Sequence, residues 1–391
     1  MPFERQSEAP KQRVGIFTGG GTAPGWNAVI YGAVSELQRT GNKAIGIREG
    51  WAGLLEEQPI VDFQRFTQER LYGLLRKGGS VLKSSRTKIE PPQYNQVWKM
   101  MRRYRLDGAI AIGGDDTLKQ AGEITAAAQA RNRNNDENLP SFIGVPKTVD
   151  DDVAGTERTF GFHTAVEDAA EQIRKVRVDA KTHGRVAAVE LMGRDCGRIT
   201  LHAGYVAGAD ITLIPEFPIP EQRLMKSIRE IYAEQGFVVI ALSEGYEQPT
   251  RRGSKLHSEL TSVVDSFGHK KKEGAARKLL SLIKTRTKLG TMEQVAGYFV
   301  RSGAPIAPDG IFAAEMGAVA AHLADQRMYG RMVSLQRGRL TYIPMTSVSG
   351  GRHVTELEYN AQEMRKWDLP PNLVHGIKKT RGDIDAILRG Q

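Results

Sequence analysis

Short apolar runs alternate with amphipathic segments and polar turns along the first 150 residues. Residues 14–17 are an apolar run (VGIF) that ends at three glycines, Gly19 to Gly21. The residues after these glycines are apolar at helical spacing up to Gly41: Val29, Ile30, Ala33, Val34 and Leu37. The same order of apolar run and polar turn returns at 108–117 and at 142–148. This alternation predicts strands followed by helices, arranged as a parallel sheet with helices on both faces.

A second series of apolar runs follows residue 152 and predicts a further α/β layer. Its candidate strands are 186–189, 211–214 and 237–242, and each ends at a polar turn. In open sheets of this kind, ligands bind beyond the carboxyl ends of the strands, where these turns fall. Two polar stretches interrupt the pattern, and we predict a surface loop at 131–138 and an insertion or flap at 246–272.

The composition excludes several classes of protein. The chain has 391 residues, of which 40% are hydrophobic and 26% charged, so it can bury a large core and is not expected to be mainly disordered. No apolar run approaches the roughly 18 residues that a membrane-spanning helix needs. The polar residues 1–12 lack the apolar core of a secretory signal, so we expect a cytoplasmic protein. A single cysteine, Cys196, excludes an intramolecular disulfide and the cysteine clusters of zinc sites.

An excess of positive charge indicates an anionic partner but does not identify which kind. The chain has 55 Lys and Arg against 45 Asp and Glu, a net charge of +10. Nucleic acid, anionic lipid and small phosphorylated compounds all fit that balance. The basic runs at 251–252 and 270–272 lie in a polar stretch and are typical of a solvated loop.

Three of the predicted turns carry groups suited to phosphate chemistry. The glycine turn lets backbone N–H groups approach a phosphate at a helix N-terminus, although tight packing alone also explains it. The GGDDT turn at 113–117 places two carboxylates together, which favours a magnesium–phosphate site over a single Asp helix cap. The PKTVDDD turn at 146–152 sets a lysine beside three acids, which favours phosphoryl transfer over an acidic surface turn.

These turns belong to a set of motifs that resembles, in order and spacing, the 6-phosphofructokinase family. The motifs are GIFTGGGTAPGWN (15–27), GGDDT (113–117), PKTVDDD (146–152), MGR (192–194) and GYFVRSG (297–303). The resemblance runs from about Arg13 to Pro344. It implies two Rossmann-like three-layer α/β domains with the active site in the cleft between them, and assembly into homodimers or homotetramers.

The resemblance also implies domain boundaries. A polar tail (1–12) would precede a phosphoryl-donor domain made of 13–160 and about 301–345. The sugar-phosphate domain would be 161–300 with the 246–272 insertion, and 346–391 would form a C-terminal helical segment.

Roles follow by resemblance for individual residues. Asp150 corresponds to the base for the sugar's 1-hydroxyl, with Thr148 beside it, and Asp115 to the magnesium-linked acid, with Asp152 as a second candidate ligand. The donor positions are Gly21, Arg86 and Thr117, and the groups that act on the transferring phosphoryl are Asp116, Lys147 and Arg194. The sugar-phosphate positions are Thr148, Asp150, Asp152, Met192, Gly193, Arg194, Glu244, Tyr298, Arg301 and, from a neighbouring subunit, Arg185. Met192 and Tyr298 taken singly also fit ordinary core positions.

Two of these positions bear on the phosphoryl donor. ATP-using relatives typically have glycine where Asp116 and Lys147 stand, which leaves room for a nucleotide. An aspartate would repel an α-phosphate, and a lysine suits pyrophosphate, which has no nucleotide by which it can be held. The pair therefore resembles the pyrophosphate-dependent branch. Asp116 carries more of this inference, because some ATP-using members also have a Pro-Lys-Thr-like sequence at the position of Lys147.

Several residues differ from the family pattern, so the family's roles do not carry over directly to their positions. Thr22 and Asp151 stand where Asp and Asn are usual, and both alter hydrogen bonding. Met292 replaces an arginine that reaches the sugar's 6-phosphate, a charge-assisted contact worth on the order of 1.5–3 kcal/mol. Arg286 and Lys288 are candidate substitutes. Bacterial relatives carry a set of effector-binding arginines, and this chain has only part of that set. Tyr31 and Ser35 stand at two of these positions, and Arg177 matches a third.

The expected activity is reversible, Mg²⁺-dependent phosphoryl transfer from pyrophosphate to the 1-hydroxyl of fructose 6-phosphate. The alternatives are an ATP-dependent member, a kinase of another sugar phosphate such as sedoheptulose 7-phosphate, an NAD kinase-like enzyme and a non-catalytic subunit. We expect self-association, and no nucleic-acid or membrane partner.

Overall fold

The computed structural model describes residues 11–135, 137–249, 255–256, 274–348 and 350–359. Most of the predicted tail, most of the 246–272 insertion and most of the predicted C-terminal helical segment lie outside these residues. The strands are β1 (Arg13–Thr18), β2 (Lys43–Gly46), β3 (Val61–Asp62), β4 (Gly108–Gly113), β5 (Ser141–Pro146), β6 (Val186–Leu191), β7 (Ile211–Leu213), β8 (Val238–Ser243), β9 (Gln248–Pro249), β10 (Lys255–Leu256), β11 (Thr291–Val295), β12 (Arg331–Gln336) and β13 (Arg339–Pro344).

The helices connect these strands and cover the sheets. They are α1 (Trp26–Arg39), α2 (Ala52–Leu55), α3 (Gln68–Tyr72), α4 (Tyr94–Arg103), α5 (Asp115–Asn135), α6 (Phe162–His183), α7 (Arg198–Ala207), α8 (Glu221–Gln235), α9 (Ala275–Thr287), α10 (Phe299–Ser302), α11 (Ala307–Asp325) and α12 (Glu356–Tyr359). No helix in the described ranges is both long and apolar enough to cross a bilayer.

Two main sheets organise the chain. The larger has seven strands in the order β13-β12-β5-β4-β1-β2-β3, parallel in its centre and antiparallel at both edges. The smaller has four strands, all parallel, in the order β11-β6-β8-β7. Strands β4, β5, β6 and β8 are buried along their whole length, as expected for strands covered on both faces. The predicted α/β fold class is confirmed.

Close packing of two helices brings the residues beyond 300 against the larger sheet. Helix α1 lies against α11, and the contact depends on glycine in both helices. A Cβ at Gly32 would overlap the carbonyl oxygen of Ala314, and a Cβ at Gly317 would overlap that of Val29. Because these backbones touch, Arg301 and the start of α11 lie beside the elements built from the first 150 residues. A Cβ at Gly310 would lie near Leu75, and one at Gly25 near Ala313.

The predicted surface loop at 131–138 is wrong over its first five residues. Helix α5 continues to Asn135. Its last turn is polar and faces solvent, and hydrogen bonds from its side chains hold it against the segment that follows. Arg131 donates two hydrogen bonds to the Glu137 carboxylate, at 3.0 and 2.6 Å. Asn132 exchanges hydrogen bonds with the backbone of Leu139. A run of arginine and asparagine therefore belongs to a helix here, although its composition is typical of a loop.

Candidate active site

A cavity of about 320 Å³ lies where the carboxyl ends of strands from both main sheets face each other. Strands β1, β4 and β5 contribute from the larger sheet, and β6 and β8 from the smaller. Its lining residues are Gly20, Gly21, Arg86, Gly114, Asp115, Asp116, Thr117, Lys147, Thr148, Asp150, Asp152, Val153, Met192, Arg194, Asp195, Cys196, Glu244 and Arg301. The strand-end turns singled out in the sequence thus meet at one place.

A second cavity, of about 350 Å³, adjoins the first around the glycine turn. The two share Gly20, Gly21, Arg86 and Arg301, so they form one continuous cleft. The second cavity adds Thr22, Trp26, Ser80, Lys83, Ser84 and Ser85. Its serine and threonine hydroxyls and its lysine and arginine side chains are groups suited to phosphate oxygens.

The glycine turn is shaped by the neighbouring segment and by two basic side chains. Gly20 has a φ of +83°, its N–H donates to the carbonyl oxygen of Ser85 at 3.1 Å, and its own carbonyl accepts from Ser84 Oγ at 2.8 Å. A Cβ on Gly21 would lie 3.1 Å from the Arg301 guanidinium. Glycine suits the left-handed conformation at the first position, and at the second a side chain would require the Arg301 guanidinium to shift.

Lys147 extends from the end of β5 to this turn. Its Nζ donates to the carbonyl oxygen of Gly21 at 2.7 Å and lies 5.2 Å from the centre of the Trp26 ring. The side chain is buried, and desolvation together with the Arg301 guanidinium lowers the pKa of Lys147 to about 8. An anion bound in the cleft would favour its charged form.

The acidic loop after β5 directs Asp150 and Asp152 into the cavity. The Asp150 N–H donates to Thr148 Oγ1 at 3.0 Å, which closes the turn on the side chain that precedes it. Burial, followed by the carboxylates of Asp152 and Glu244, raises the pKa of Asp150 to about 8. Its Oδ1 is buried and has no hydrogen-bond partner among the described residues. A carboxylate of raised basicity with an unused acceptor is suited to taking a proton from a bound hydroxyl.

Asp115 and Asp116 form the first turn of α5. The helix begins at Asp115, so both acids lie at the end of the helix dipole that favours negative charge. Although Asp115 is open to the cavity, desolvation by the walls and the nearby Asp152 and Asp116 raise its pKa to about 7. Carboxylates that repel one another here fit a divalent cation.

The fit to Mg²⁺ requires ligands from outside the protein. The described residues contain no group of three acid, histidine or cysteine side chains arranged to hold a metal. Mg²⁺ is commonly held by one or two carboxylates together with water and substrate phosphates. Asp115 and Asp152 therefore suffice only for an ion that enters with a phosphorylated ligand.

The smaller sheet supplies the opposite wall. Met192 and Arg194 follow β6, and Met192 also packs against the core. Glu244 follows β8, and burial together with Glu190 raises its pKa to about 7. Arg301 lies over the Tyr298 ring, 4.3 Å from its centre, and reaches the cleft from α10.

Three residues assigned by resemblance do not line the cavity of their own chain. Gly193 forms the bend after β6 with a φ of +130°, and Tyr298 is 58% exposed. Arg185 precedes β6 and so lies at the opposite end of that strand from the cavity. An Arg185 role would need a second chain, and it stays a prediction.

Met292 and its candidate substitutes are also outside the cavity. Met292 lies on β11 and packs against the core. Arg286 is bound to Glu221 at 2.8 Å, and Lys288 is the left-handed residue that ends α9. Within one chain, neither cation replaces the missing arginine.

The expected effector-site positions are engaged within the chain. The Tyr31 ring lies 5.5 Å from that of Tyr72. Arg177 donates to Gly208 and Asp210 at 3.0 and 3.1 Å.

Several lining residues were not predicted. Lys83, Val153 and Asp195 enter the cleft through folding, and none of the quoted motifs contains them; Trp26 belongs to the 15–27 motif but was given no role. Cys196 lies behind Asp150, with its Sγ 3.7 Å from the Asp150 carbonyl oxygen. Burial raises its pKa to about 12, so the thiol stays protonated, in keeping with the absence of a predicted catalytic task.

Comparison with known proteins identifies the family. A family model described as Phosphofructokinase matches residues 13–324. A pyrophosphate–fructose 6-phosphate 1-phosphotransferase of Dictyoglomus thermophilum is 34% identical over 343 residues, which cover 87% of this chain and 94% of that protein. An ATP-dependent 6-phosphofructokinase 2 of Streptomyces coelicolor is 32% identical over 352 residues, 88% of this chain and 96% of that one.

A solved structure shares the fold. The pyrophosphate-dependent phosphofructokinase of Nitrosospira multiformis superposes with a TM-score of 0.75 at 20% identity, covering 88% of this chain and 86% of that chain. At this identity the likeness concerns the fold alone. Together with the matched family model and the two relatives, the strand-end site leads to one conclusion: the chain is a transferase of the phosphofructokinase family.

Proposed function

We propose that the protein transfers a phosphoryl group from pyrophosphate to the 1-hydroxyl of fructose 6-phosphate, giving fructose 1,6-bisphosphate and phosphate. The observation that carries the choice of donor is the pair Asp116 and Lys147. The Lys147 ammonium fills the space beside the glycine turn, 2.7 Å from the Gly21 carbonyl, and Asp116 lines the same cavity. A nucleotide would bring its α-phosphate toward these side chains, whereas pyrophosphate gains a cation and needs no further room.

The residues of the cleft can perform the transfer directly. Asp150 takes the proton of the 1-hydroxyl as the new O–P bond forms and the bridging P–O bond of pyrophosphate breaks. Lys147 and Arg194 neutralise charge on the moving phosphoryl group, and Arg86 holds the remaining phosphate. Arg301, expected from the resemblance beside the sugar phosphate, lies at the glycine turn and would hold this phosphate together with Arg86. Inorganic phosphate leaves, and the bonds broken and formed are similar enough in energy for the reaction to run in both directions.

Mg²⁺ is the proposed cofactor, held by Asp115 with Asp152 as the second candidate ligand. When bound, it supplies positive charge to the pyrophosphate oxygens. Without it, the raised pKa of Asp115, about 7, leaves the carboxyl about half protonated at neutral pH.

The sugar phosphate would lie against the smaller sheet, beside Met192, Arg194 and Glu244. We propose that a second copy of the chain completes this side with Arg185, in a homodimer or homotetramer. Met292 leaves the acceptor less firmly specified, so sedoheptulose 7-phosphate is the competing acceptor. The proposed location is the cytoplasm.

The competing donor is ATP, which the name of the Streptomyces relative supports. A coupled assay with pyrophosphate and ATP in parallel, at equal Mg²⁺ and fructose 6-phosphate, separates the two. Turnover with pyrophosphate and little with ATP is the expected result. Turnover with ATP alone would overturn the donor assignment, and turnover with neither would overturn the proposed function.

A further inference from the structure

The acidic loop of the cleft is held from behind by a buried carboxylate that does not line the cavity. Asp151 stands between Asp150 and Asp152, yet only those two neighbours face the cleft. Its φ of +54° lies in the left-handed region, which side chains other than glycine seldom adopt. This backbone turn sends the middle acid away from its neighbours, so the loop's shape depends on what binds Asp151.

Two arginines from distant parts of the chain bind both the backbone and the side chain of Asp151. Arg198, on α7, donates from Nη1 to the Asp151 carbonyl at 2.7 Å and to Oδ2 at 3.3 Å. Arg352 donates from Nη2 to the same two oxygens, at 2.9 Å each. The Thr159 N–H occupies Oδ1 at 2.6 Å. Both carboxylate oxygens and the carbonyl of Asp151 are therefore fixed.

The segment 350–359, here called the C-terminal strap, carries Arg352 to this position. Its backbone continues the contact, because the Arg352 N–H donates to the Asp152 carbonyl at 2.6 Å and Gly351 pairs with Val153 in an isolated β-bridge. The strap is anchored at its far end by Tyr359, which stacks on Phe217 with 4.6 Å between ring centres. The strap thus touches the loop at two of its three acids and at the residue that follows them.

The charges make this arrangement sensitive to loss of one partner. The Asp151 and Arg198 side chains are only 8% and 6% exposed, and the Arg352 side chain is 29% exposed. Removing one member of a buried ion pair leaves an uncompensated charge that the structure must expose or rearrange. At this site the backbone that would rearrange is the one that aims Asp150 and Asp152.

We propose that Asp151, Arg198 and Arg352 are positioning residues for phosphoryl transfer, and that the C-terminal strap is through them part of the catalytic apparatus. The inference rests on the proposed role of Asp150 as the base. It extends the catalytic apparatus to residues outside the cleft, of which Arg352 is 201 positions along the chain from Asp151 and Arg198 is 47.

The test compares Arg352→Ala with Arg131→Ala, which removes an arginine bound bidentately to Glu137 away from the cleft. Both are assayed with pyrophosphate, fructose 6-phosphate and Mg²⁺, well below their melting temperatures. We expect Arg352→Ala to lower kcat about 100-fold, the order of loss caused by a small misplacement of a catalytic group, with little change in KM. Arg131→Ala should keep the wild-type kcat.

Two further variants separate positioning from general destabilisation. Arg352→Lys keeps a charge beside Asp151 and should retain more activity than Arg352→Ala, and millimolar guanidinium should restore part of the activity of Arg352→Ala. Adding Asp151→Asn to Arg352→Ala should also recover activity, because the buried side chain that has lost one of its two cations is then neutral. If Arg352→Ala does not fold, the lysine variant and the double variant carry the comparison.

An unchanged kcat in Arg352→Ala would overturn the inference, as would a loss equal to that of Arg131→Ala or a loss that neither guanidinium nor Asp151→Asn relieves. An inactive wild-type enzyme would instead overturn the proposed function, so the two failures are distinguishable.

Discussion

The Lys147 ammonium donates a hydrogen bond to the carbonyl oxygen of Gly21 across the mouth of the cleft, with 2.7 Å between Nζ and O. The contact joins the end of β5 to the turn after β1, two strands away in the same sheet. It puts a buried cation where the glycine turn offers its backbone to phosphate. The proposed choice of donor depends on this lysine and on Asp116.

Replacing the donor-selecting pair should change which donor is used. Asp116→Gly with Lys147→Gly removes a negative charge and a cation, and it opens space beside the glycine turn. We expect kcat/KM for pyrophosphate to fall about 100-fold, because loss of an electrostatic contact to the transferring group costs this order, and some ATP use to appear. Glu171→Ala with Lys175→Ala, which removes an exposed ion pair on α6 and also leaves the net charge unchanged, is the matched control. Unchanged pyrophosphate kinetics in the double variant would contradict the assigned roles.

Asp150→Asn should remove the base while keeping the shape of the side chain. We expect kcat to fall by about 10²–10⁴, the usual contribution of general base catalysis. The variant's near-UV circular dichroism and its binding of fructose 6-phosphate should match the wild type. Activity within a few-fold of wild type would contradict the role of Asp150.

The pH dependence of the free enzyme follows from two groups. Asp150 must be ionised and Lys147 protonated, and the pKa of each is shifted to about 8. The profile of kcat/KM should therefore rise with pH until about 8 and fall above it, as a narrow bell with macroscopic pKa values. In the residual activity of Asp150→Asn the acidic limb should move to lower pH, toward about 7, where Asp115 and Glu244 titrate. A flat profile between pH 6 and 9 would contradict this assignment.

The ionised form of Asp150 should lower the free energy of unfolding. Its folded-state pKa of about 8 lies above the ordinary value of 3.8, so the folded state binds the proton more tightly than the unfolded state does. Stability should fall as pH rises between these two values, and Asp150→Asn should remove that fall. Thermal melts without Mg²⁺ should show Asp150→Asn gaining several degrees over wild type at pH 8 and less at pH 5. An equal difference at both pH values would be inconsistent with the shifted pKa.

Gly21→Ala should disturb the donor site through Arg301. The added Cβ would lie 3.1 Å from the Arg301 guanidinium, which must move away from the turn. We expect KM for pyrophosphate to rise about tenfold, the cost of weakening one charge-assisted hydrogen bond, with KM for the sugar phosphate less affected. Gly73→Ala is the control, since its Cβ meets nothing within 4 Å. Equal KM values for the two variants would show that Arg301 does not contact the donor.

Much of this site follows from the order of motifs along the chain. The acids, the lysine and the glycines were assigned to the ends of predicted strands, and the fold brings those ends together because parallel strands point the same way. Asp151 was predicted only to alter hydrogen bonding, since its partner Arg352 is 201 residues away and no local pattern links them. The polar end of α5 was missed for a related reason, because Glu137 and Leu139 hold it through side-chain contacts.

The most direct test of the proposed reaction is a ³¹P NMR time course of the wild-type protein with pyrophosphate, fructose 6-phosphate and Mg²⁺. The expected record is loss of the pyrophosphate signal with equal growth of inorganic phosphate and a new sugar 1-phosphate resonance. Starting from fructose 1,6-bisphosphate and phosphate, the same signals should appear in reverse. A pyrophosphate signal that persists while a parallel sample converts ATP to ADP would contradict the account.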